Sequence, residues 1–322
     1  MNAVLPAFRL AQPRTVAEAI AACRDRPESR FVAGGTDLLV NMRNGICRAD
    51  QLIDLSGIDE LTELRPTDDG ITIGAGVTIA TLASHEIVVA RYRALAQAAA
   101  AIAGPGHRNM GTVGGNLCLD TRCIYYNQSE WWRSANAYCL KHRGEICHVA
   151  PQGKRCHAAY CGDIAPALLA LGAEIDISSS QGTRRTSLNH LYVEDGKAHL
   201  TLADGELVTA VHLPADAPPS AYAKASTRAA IDFPLAGVAV ALGTSADTIA
   251  SLRLALTGTN SRPFLLAGTD AFAGRRIDDQ LLSEVDRLVQ RQVQPMRTTL
   301  TSANYRRLAA AALARRLISS LR

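Results

Sequence analysis

Six of the chain's eight cysteines fall between residues 118 and 161, directly behind a glycine-rich turn, Gly111-Thr-Val-Gly-Gly-Asn116. The segment 104–163 thus sets a glycine loop and a cysteine cluster back to back, and an ordinary helix pattern resumes only after Cys161-Gly-Asp163. Cysteines gathered this way in an intracellular chain signal metal or redox chemistry more often than structural disulfides. Glycine, having no Cβ, lets backbone N–H groups approach a phosphate closely. A phosphate-cradling loop beside a thiol cluster points to electron transfer.

The rest of the composition narrows the frame. At 322 residues the chain exceeds one small core and suits two or three domains. Apolar content of 48% and charged content of 20% are those of a globular protein. No run of 18 apolar residues occurs, so no membrane span is expected. Residues 1–8 carry neither a basic region nor an apolar core of a secretory leader, which gives the expectation of a cytoplasmic protein. The net charge of +4 is mild and its Lys and Arg are scattered, which argues against nucleic acid as a partner. Arg306, Arg307, Arg315 and Arg316 read as the solvated face of a last helix.

Periodicity divides the chain into residues 1–58, 59–215 and 216–322. In the first, Thr15-Val-Ala-Glu18 is a capping box opening a helix to about Cys23, with short strands at 31–33 and 51–55 and a helix from Leu38 to Met42. In the second, 70–74 alternates as a strand, Thr78 caps a short helix, and 87–103 reads as one alanine-rich helix stopped by Gly104-Pro105. A helix at 164–171 and strands at 174–177, 198–202 and 207–213 follow. Residues 214–220, with three prolines, form the linker. Beyond it, strands at 222–228, 237–242 and 250–256 and helices at 279–292 and 302–321 make an antiparallel sheet covered on one face by helices. The fold class is α+β.

Two loops share one physical character. Ala33-Gly-Gly-Thr-Asp-Leu38 joins a strand to a helix, and Thr112-Val-Gly-Gly-Asn116 follows a helix end. Either is an ordinary turn when taken alone; together, each with hydroxyl or amide side chains at its shoulder, they suit a pyrophosphate. Neither matches the dinucleotide fingerprint or the P-loop.

These loops, with Arg108-Asn-Met-Gly-Thr-Val-Gly-Gly-Asn-Leu117, Gly162-Asp-Ile-Ala-Pro-Ala-Leu-Leu-Ala-Leu171, Lys224-Ala-Ser-Thr-Arg228, Asp232-Phe-Pro234 and Ser302-Ala-Asn-Tyr-Arg306, resemble the FAD-binding subunit of molybdenum hydroxylases. The likeness runs over nearly the whole chain. It implies a two-part FAD-binding domain and a C-terminal sheet-and-helix domain. It also implies that Val32, Ala33, Gly34, Gly35, Thr36, Asp37 and Leu38 hold one side of FAD and Asn109, Thr112, Gly114, Gly115 and Asn116 the other. Asp163, a helix cap, would accept from a FAD hydroxyl. Ile102 would pack on the isoalloxazine, and Lys224 would approach it from the C-terminal domain.

About forty residues, near 119–161, interrupt the family pattern. Cys118 sits at one seam, at a position that resembles the family's own loop, and Cys161 at the other, beside Gly162-Asp163, where packing asks only for a small residue. That leaves Cys123, Cys139, Cys147 and Cys156, the number a tetrahedral ion or a [4Fe–4S] cluster requires. Intervening stretches of 15, 7 and 8 residues fit neither a zinc finger nor a bacterial ferredoxin run. A [4Fe–4S] relay, a structural zinc and plain buried thiols all stay open on spacing; the flavin context favours the relay. His142, His148 and His157 read as surface or supporting groups, and Tyr125, Tyr126, Trp131 and Trp132 as packing or a donor's docking patch. The resemblance further implies a large molybdenum-cofactor subunit, a small subunit with two [2Fe–2S] clusters and a ferredoxin-like donor in one hetero-oligomer. This chain would supply no general acid or base.

Overall fold

The computed structural model describes residues 4–26 and 28–322; of the leader reading, residues 1–3 lie outside that range. The N-terminal unit contains β1 (Arg9–Ala11), α1 (Val16–Arg24), β2 (Ser29–Val32), α2 (Leu38–Arg43) and β3 (Gln51–Asp54), with the strands parallel in the order β1-β3-β2. Thr15 caps α1, its Oγ1 accepting from the Glu18 amide at 3.1 Å. The return bond of the capping box is offset by one residue, because Glu18 Oε2 accepts from the Arg14 amide at 2.7 Å. Ile53, Ala19, Ile58 and Leu61 fill one side of this small sheet, and Val32, Met42, Ala49 and Leu52 the other.

The second unit runs through β4 (Leu64–Thr67), β5 (Gly70–Gly74), α3 (Ile79–Ser84), α4 (Glu86–Arg91), α5 (Arg93–Ala101), α6 (Pro105–Met110), α7 (Val113–Leu117), α8 (Glu130–Ala135), α9 (Ile164–Ala170), β6 (Glu174–Ser179), β7 (Gly182–Ser187) and β8 (Leu207–Pro214). Its strands form an antiparallel sheet, β4-β5-β8-β6-β7. The single helix expected over 87–103 is two helices, broken at Tyr92 (φ −124°, ψ 53°). The Tyr92 ring is fully buried and its hydroxyl donates to the Pro214 carbonyl at 2.9 Å, so a tertiary contact overrides alanine's helix propensity. Gly104-Pro105 is a start rather than a stop: Gly104 is the N-cap of α6 and Pro105 occupies its first turn. Residues 198–202 make only an isolated bridge, Leu200 to Tyr192. β7, the polar run Gly-Thr-Arg-Arg-Thr-Ser, has no apolar alternation to betray it.

The C-terminal unit is an antiparallel sheet, β12-β11-β10-β9, of β9 (Ser220–Ala225), β10 (Ala236–Ser245), β11 (Thr248–Thr257) and β12 (Phe264–Leu265). α10 (Asp279–Gln292) and α11 (Ala303–Leu321) lie on one face, burying Leu281, Val285, Ala314 and Leu317 against Val238, Val240 and Leu254. The opposite face sends Ala239, Ala241 and Ala255 into the core that surrounds α9. Arg306 corrects the solvated-face reading of α11. It is fully buried and donates to the carbonyls of Leu235 (3.0 Å), Met296 (2.8 Å) and Gly258 and to Thr298 Oγ1 (3.0 Å). Among the described residues, no helix is long and apolar enough to cross a membrane.

Candidate functional site: a glycine-lined cleft beside a cysteine-lined cavity

The two glycine loops, far apart in sequence, touch. A Cβ on Gly34 would stand 1.8 Å from the Met110 carbonyl oxygen, and Gly35 takes a left-handed φ of +67°. Thr78 bridges to Thr112, and a Cβ on Gly114 would meet Ala75 at 2.9 Å. Residues 112–116, expected as a loop, are a capped helical turn. Thr112 Oγ1 accepts from the Gly115 amide at 3.1 Å, so Gly114 and Gly115 sit in the first turn of α7. Val32 is buried and Ala33, Leu38 and Gly114 are half-buried, whereas Thr36, Asn109 and Gly115 are exposed along the rim. Ile102 ends α5 half-buried, and its carbonyl accepts from Arg108 Nη1 at 2.8 Å.

Asp37 is held from two sides. Asn41 Nδ2 donates to one oxygen at 3.0 Å, and the Arg122 guanidinium pairs with the other. Arg122 also stands over the Phe233 ring, 5.1 Å from its centroid. Nothing in the sequence announced this pair, which joins the first glycine loop to the residue preceding Cys123.

Asp163 is at the N-cap position of α9 but makes no capping bond. Asn116 does that work, its Oδ1 accepting from the Ile164 amide at 3.3 Å. The Asp163 carboxylate instead accepts from the Tyr222 hydroxyl at 2.7 Å and pairs with Lys224 at 3.0 Å, both side chains nearly buried. Burial raises its carboxyl to about 6, with Lys224 and Tyr222 pulling the other way. Lys224, expected at the flavin, is committed to this pair and to the Asp232 carbonyl at 3.0 Å. Both groups lie on the seam between α9 and β9.

The insertion leaves the fold and returns at one point. Arg122 and Ala159 exchange both backbone hydrogen bonds, at 2.7 and 2.8 Å. Between them, Cys123, Cys139, Cys147 and Cys156, all buried, line one small cavity with Tyr125, Tyr126, Lys141 and His148. Cys118 and Cys161 do not line it. All eight cysteines are free thiols. Burial pushes the Cys123 thiol up to about 11 and Cys156 to about 12; Cys118 and Cys161 likewise rise to about 12 and about 11. Among the described residues, no three His, Cys, Asp or Glu side chains converge on a point where they would hold a single metal ion.

Of the histidines, His148 lines the cavity and its Nε2 meets the Tyr138 carbonyl, while His142 and His157 are lowered by burial. Trp132 packs on Tyr125 with ring centroids 6.3 Å apart, and Trp131 is 71% exposed.

A groove of about 1330 Å³ lies elsewhere, over the polar face of the five-stranded sheet and against α1. On its floor Thr72 Oγ1, His212 and Asp176 are joined by hydrogen bonds of 3.0 and 2.7 Å, and Arg185 shares the carboxylate. None of the residues expected to hold a cofactor line it.

Residues 6–216 match the FAD binding domain in molybdopterin dehydrogenase, and residues 220–321 the CO dehydrogenase flavoprotein C-terminal domain. The aldehyde oxidoreductase FAD-binding subunit PaoB of Escherichia coli is 34% identical over 281 residues, covering 83% of this chain and 86% of that protein. The carbon monoxide dehydrogenase medium chain of Hydrogenophaga pseudoflava is 28% identical, covering 78% of this chain and 75% of that one. The solved structure of carbon monoxide dehydrogenase from the same organism, in a form lacking the Mo-pyranopterin moiety, superposes with a TM-score of 0.81 at 23% identity over 99% and 98% of the two chains. A family match over two glycine loops that touch, and a relative of this identity and coverage, establish that the chain belongs to the FAD-binding subunits of the molybdenum hydroxylase family, with the two-part flavin domain and C-terminal domain of that family.

Proposed function

We propose that this chain is the FAD- and [4Fe–4S]-bearing electron-transfer subunit of a 4-hydroxybenzoyl-CoA reductase. In that enzyme a ferredoxin-like donor would deliver electrons by way of this chain to [2Fe–2S] clusters on a small partner and to molybdenum on a large one. The observation that carries the reading is the convergence of four thiols, widely spaced in sequence, on one cavity. Four thiolates are the ligand set of a [4Fe–4S] cluster, which spreads its ligands over four irons. A structural zinc would take the same four thiolates at one tetrahedral point, and the metal and sulfide content separates the two. The cavity is only about 10 Å³, so a cluster seated there has to push apart the loop that carries it, a segment made mostly of turns.

The flavin, when bound, exchanges electrons between one-electron carriers. Gly34 and Gly35 let the first loop pass close to Met110, an approach that suits a pyrophosphate held by that loop's backbone, whereas the first-turn amides of α7 are already taken, Val113 by the Val77 carbonyl, Gly114 by the Ala75 carbonyl and Gly115 by Thr112 Oγ1. Arg122 ties the Asp37 loop to the Cys123 loop, so the two redox sites are held in register by one ion pair. Tyr126, 6% exposed, closes the thiol cavity against water.

The test is an anaerobic determination of iron, sulfide and flavin on the complex purified with its partners, with EPR after dithionite. About four irons and one FAD attributable to this chain are expected, and serine at Cys139 or Cys156 removes that iron while FAD stays. Full iron in both variants would sink the ligand assignment. The relationship to an aldehyde oxidoreductase subunit favours a second reading, in which the large partner oxidises an aldehyde and electrons leave through this chain. Turnover of 4-hydroxybenzoyl-CoA with a low-potential donor, against oxidation of aldehydes with an acceptor, separates the two.

A further inference from the structure

Lys141 lies in sequence between the second and third cavity thiols, and its side chain is only 5% exposed. Lysine is seldom this deep unless something holds its charge. Here the ammonium uses all three of its donors: Asp120 Oδ1 at 2.6 Å, Thr121 Oγ1 at 2.5 Å and the Thr121 carbonyl at 3.2 Å. It also stands 4.4 Å from the centroid of the Tyr126 ring. Lys141 and Tyr126 both line the cavity with the four cysteines, whereas Asp120, a third exposed, does not. The lysine therefore stands at the cavity wall, 4.4 Å from the Tyr126 ring that lines it, and its counter-charge Asp120 stands outside the lining.

We propose that Lys141 sets the reduction potential of a cluster held by Cys123, Cys139, Cys147 and Cys156. This rests on the four-thiol reading above. The reduction adds one electron from a low-potential donor. The four thiolates and the [4Fe–4S] core together pass from a charge of 2− to 3−, and no proton or ligand is transferred. A fixed positive charge at the cavity wall stabilises the more negative state and so raises the midpoint. The cluster becomes the easier acceptor for an incoming electron. A lysine that only tied the loop to residues 120–121 would affect cluster content and leave the midpoint alone.

The test is an EPR-monitored redox titration of the whole complex, with iron and sulfide counted per FAD. Four forms are compared: wild type, Lys141→Met, Lys141→Arg and Asp120→Asn. The expected result is a midpoint lowered in K141M by about tenfold in the reduction equilibrium, about 59 mV for one electron. K141R, which keeps the charge, stays near wild type. D120N, which removes the counter-charge and can still accept from the Thr121 amide, moves the midpoint upward. Normal iron and sulfide with an unmoved midpoint in K141M overturns the inference and leaves the cluster reading intact. If K141M does not assemble its cluster, D120N carries the decision, and an unmoved midpoint there overturns it equally. A wild-type complex with no iron or sulfide on this chain removes the cluster reading itself, and the inference falls with it.

Discussion

Single residues show most clearly how the folded surroundings change what a side chain does. Asp163 looks in sequence like a helix cap, but Asn116 takes the cap and leaves Asp163 as a buried acid against Lys224 and Tyr222. Its carboxyl is raised to about 6, and the consequence for stability has a definite sign. Below about pH 4 both folded and unfolded chains hold the proton. Between about pH 4 and pH 6 the unfolded chain releases it and the folded chain keeps it, so this group makes stability fall as pH rises, by about 3 kcal/mol in all. Above about pH 6 its contribution is level. Urea unfolding at pH 4.5 and pH 7 should therefore show a smaller drop in Asp163→Asn than in wild type. Equal drops would mean that the carboxyl does not titrate in this window. Arg306 teaches the same lesson from the other side: the charge pattern of α11 reads as solvated, yet this guanidinium is the internal tie between the sheet and residues 296–298.

Elements were legible where local chemistry decides them. The Thr15 and Thr78 caps read from the sequence fix the starts of α1 and α3, and the helices expected at 279–292 and 302–321 form behind the caps Asp278 and Ser302. The misreadings occur where a distant group intervenes. Tyr92 breaks a helix to reach Pro214, 122 residues on. β7 exists because β6 pairs with it, its own sequence being polar throughout. The first glycine loop was visible as a loop and the second is a capped helical turn, but the contact between them was not legible, since only the folded chain puts Gly34 against Met110. That contact yields an element-scale prediction. Gly34→Ala must push the first loop off the Met110 carbonyl, and the displaced amides lose the pyrophosphate. FAD affinity should fall at least tenfold, about 1.4 kcal/mol, while far-UV circular dichroism stays as in wild type. Full flavin content after gel filtration of the variant would show that this close approach does not shape the cofactor site.

At the scale of the molecule, the insertion is both separable and stapled. Its two ends meet at the Arg122–Ala159 pair, so the excursion between them closes on itself. It is nevertheless held to the rest of the chain from outside: the Ile124 amide donates to the Thr298 carbonyl at 2.9 Å, Ser261 Oγ donates to the Cys156 carbonyl at 3.2 Å, and the Arg133 guanidinium donates to the Gly45 carbonyl at 2.7 Å. The first set of facts predicts that the flavin domain can do without the segment, and the second that it will miss the contacts. An antiparallel pair exchanging both hydrogen bonds is the frame of a two-residue hairpin, for which Asn-Gly is the favoured turn. Replacing 123–158 by Asn-Gly should thus give a chain that folds, keeps FAD and lacks the iron assigned to the four cysteines. Its melting temperature should drop by several degrees, because the staples to Gly45, Ser261 and Thr298 are gone and Ile46 loses the apolar neighbours it is buried against. A shortened chain that folds but no longer retains flavin would mean that the segment does more than carry a redox centre, and that the Arg122–Asp37 pair depends on the excursion to hold the first glycine loop in place.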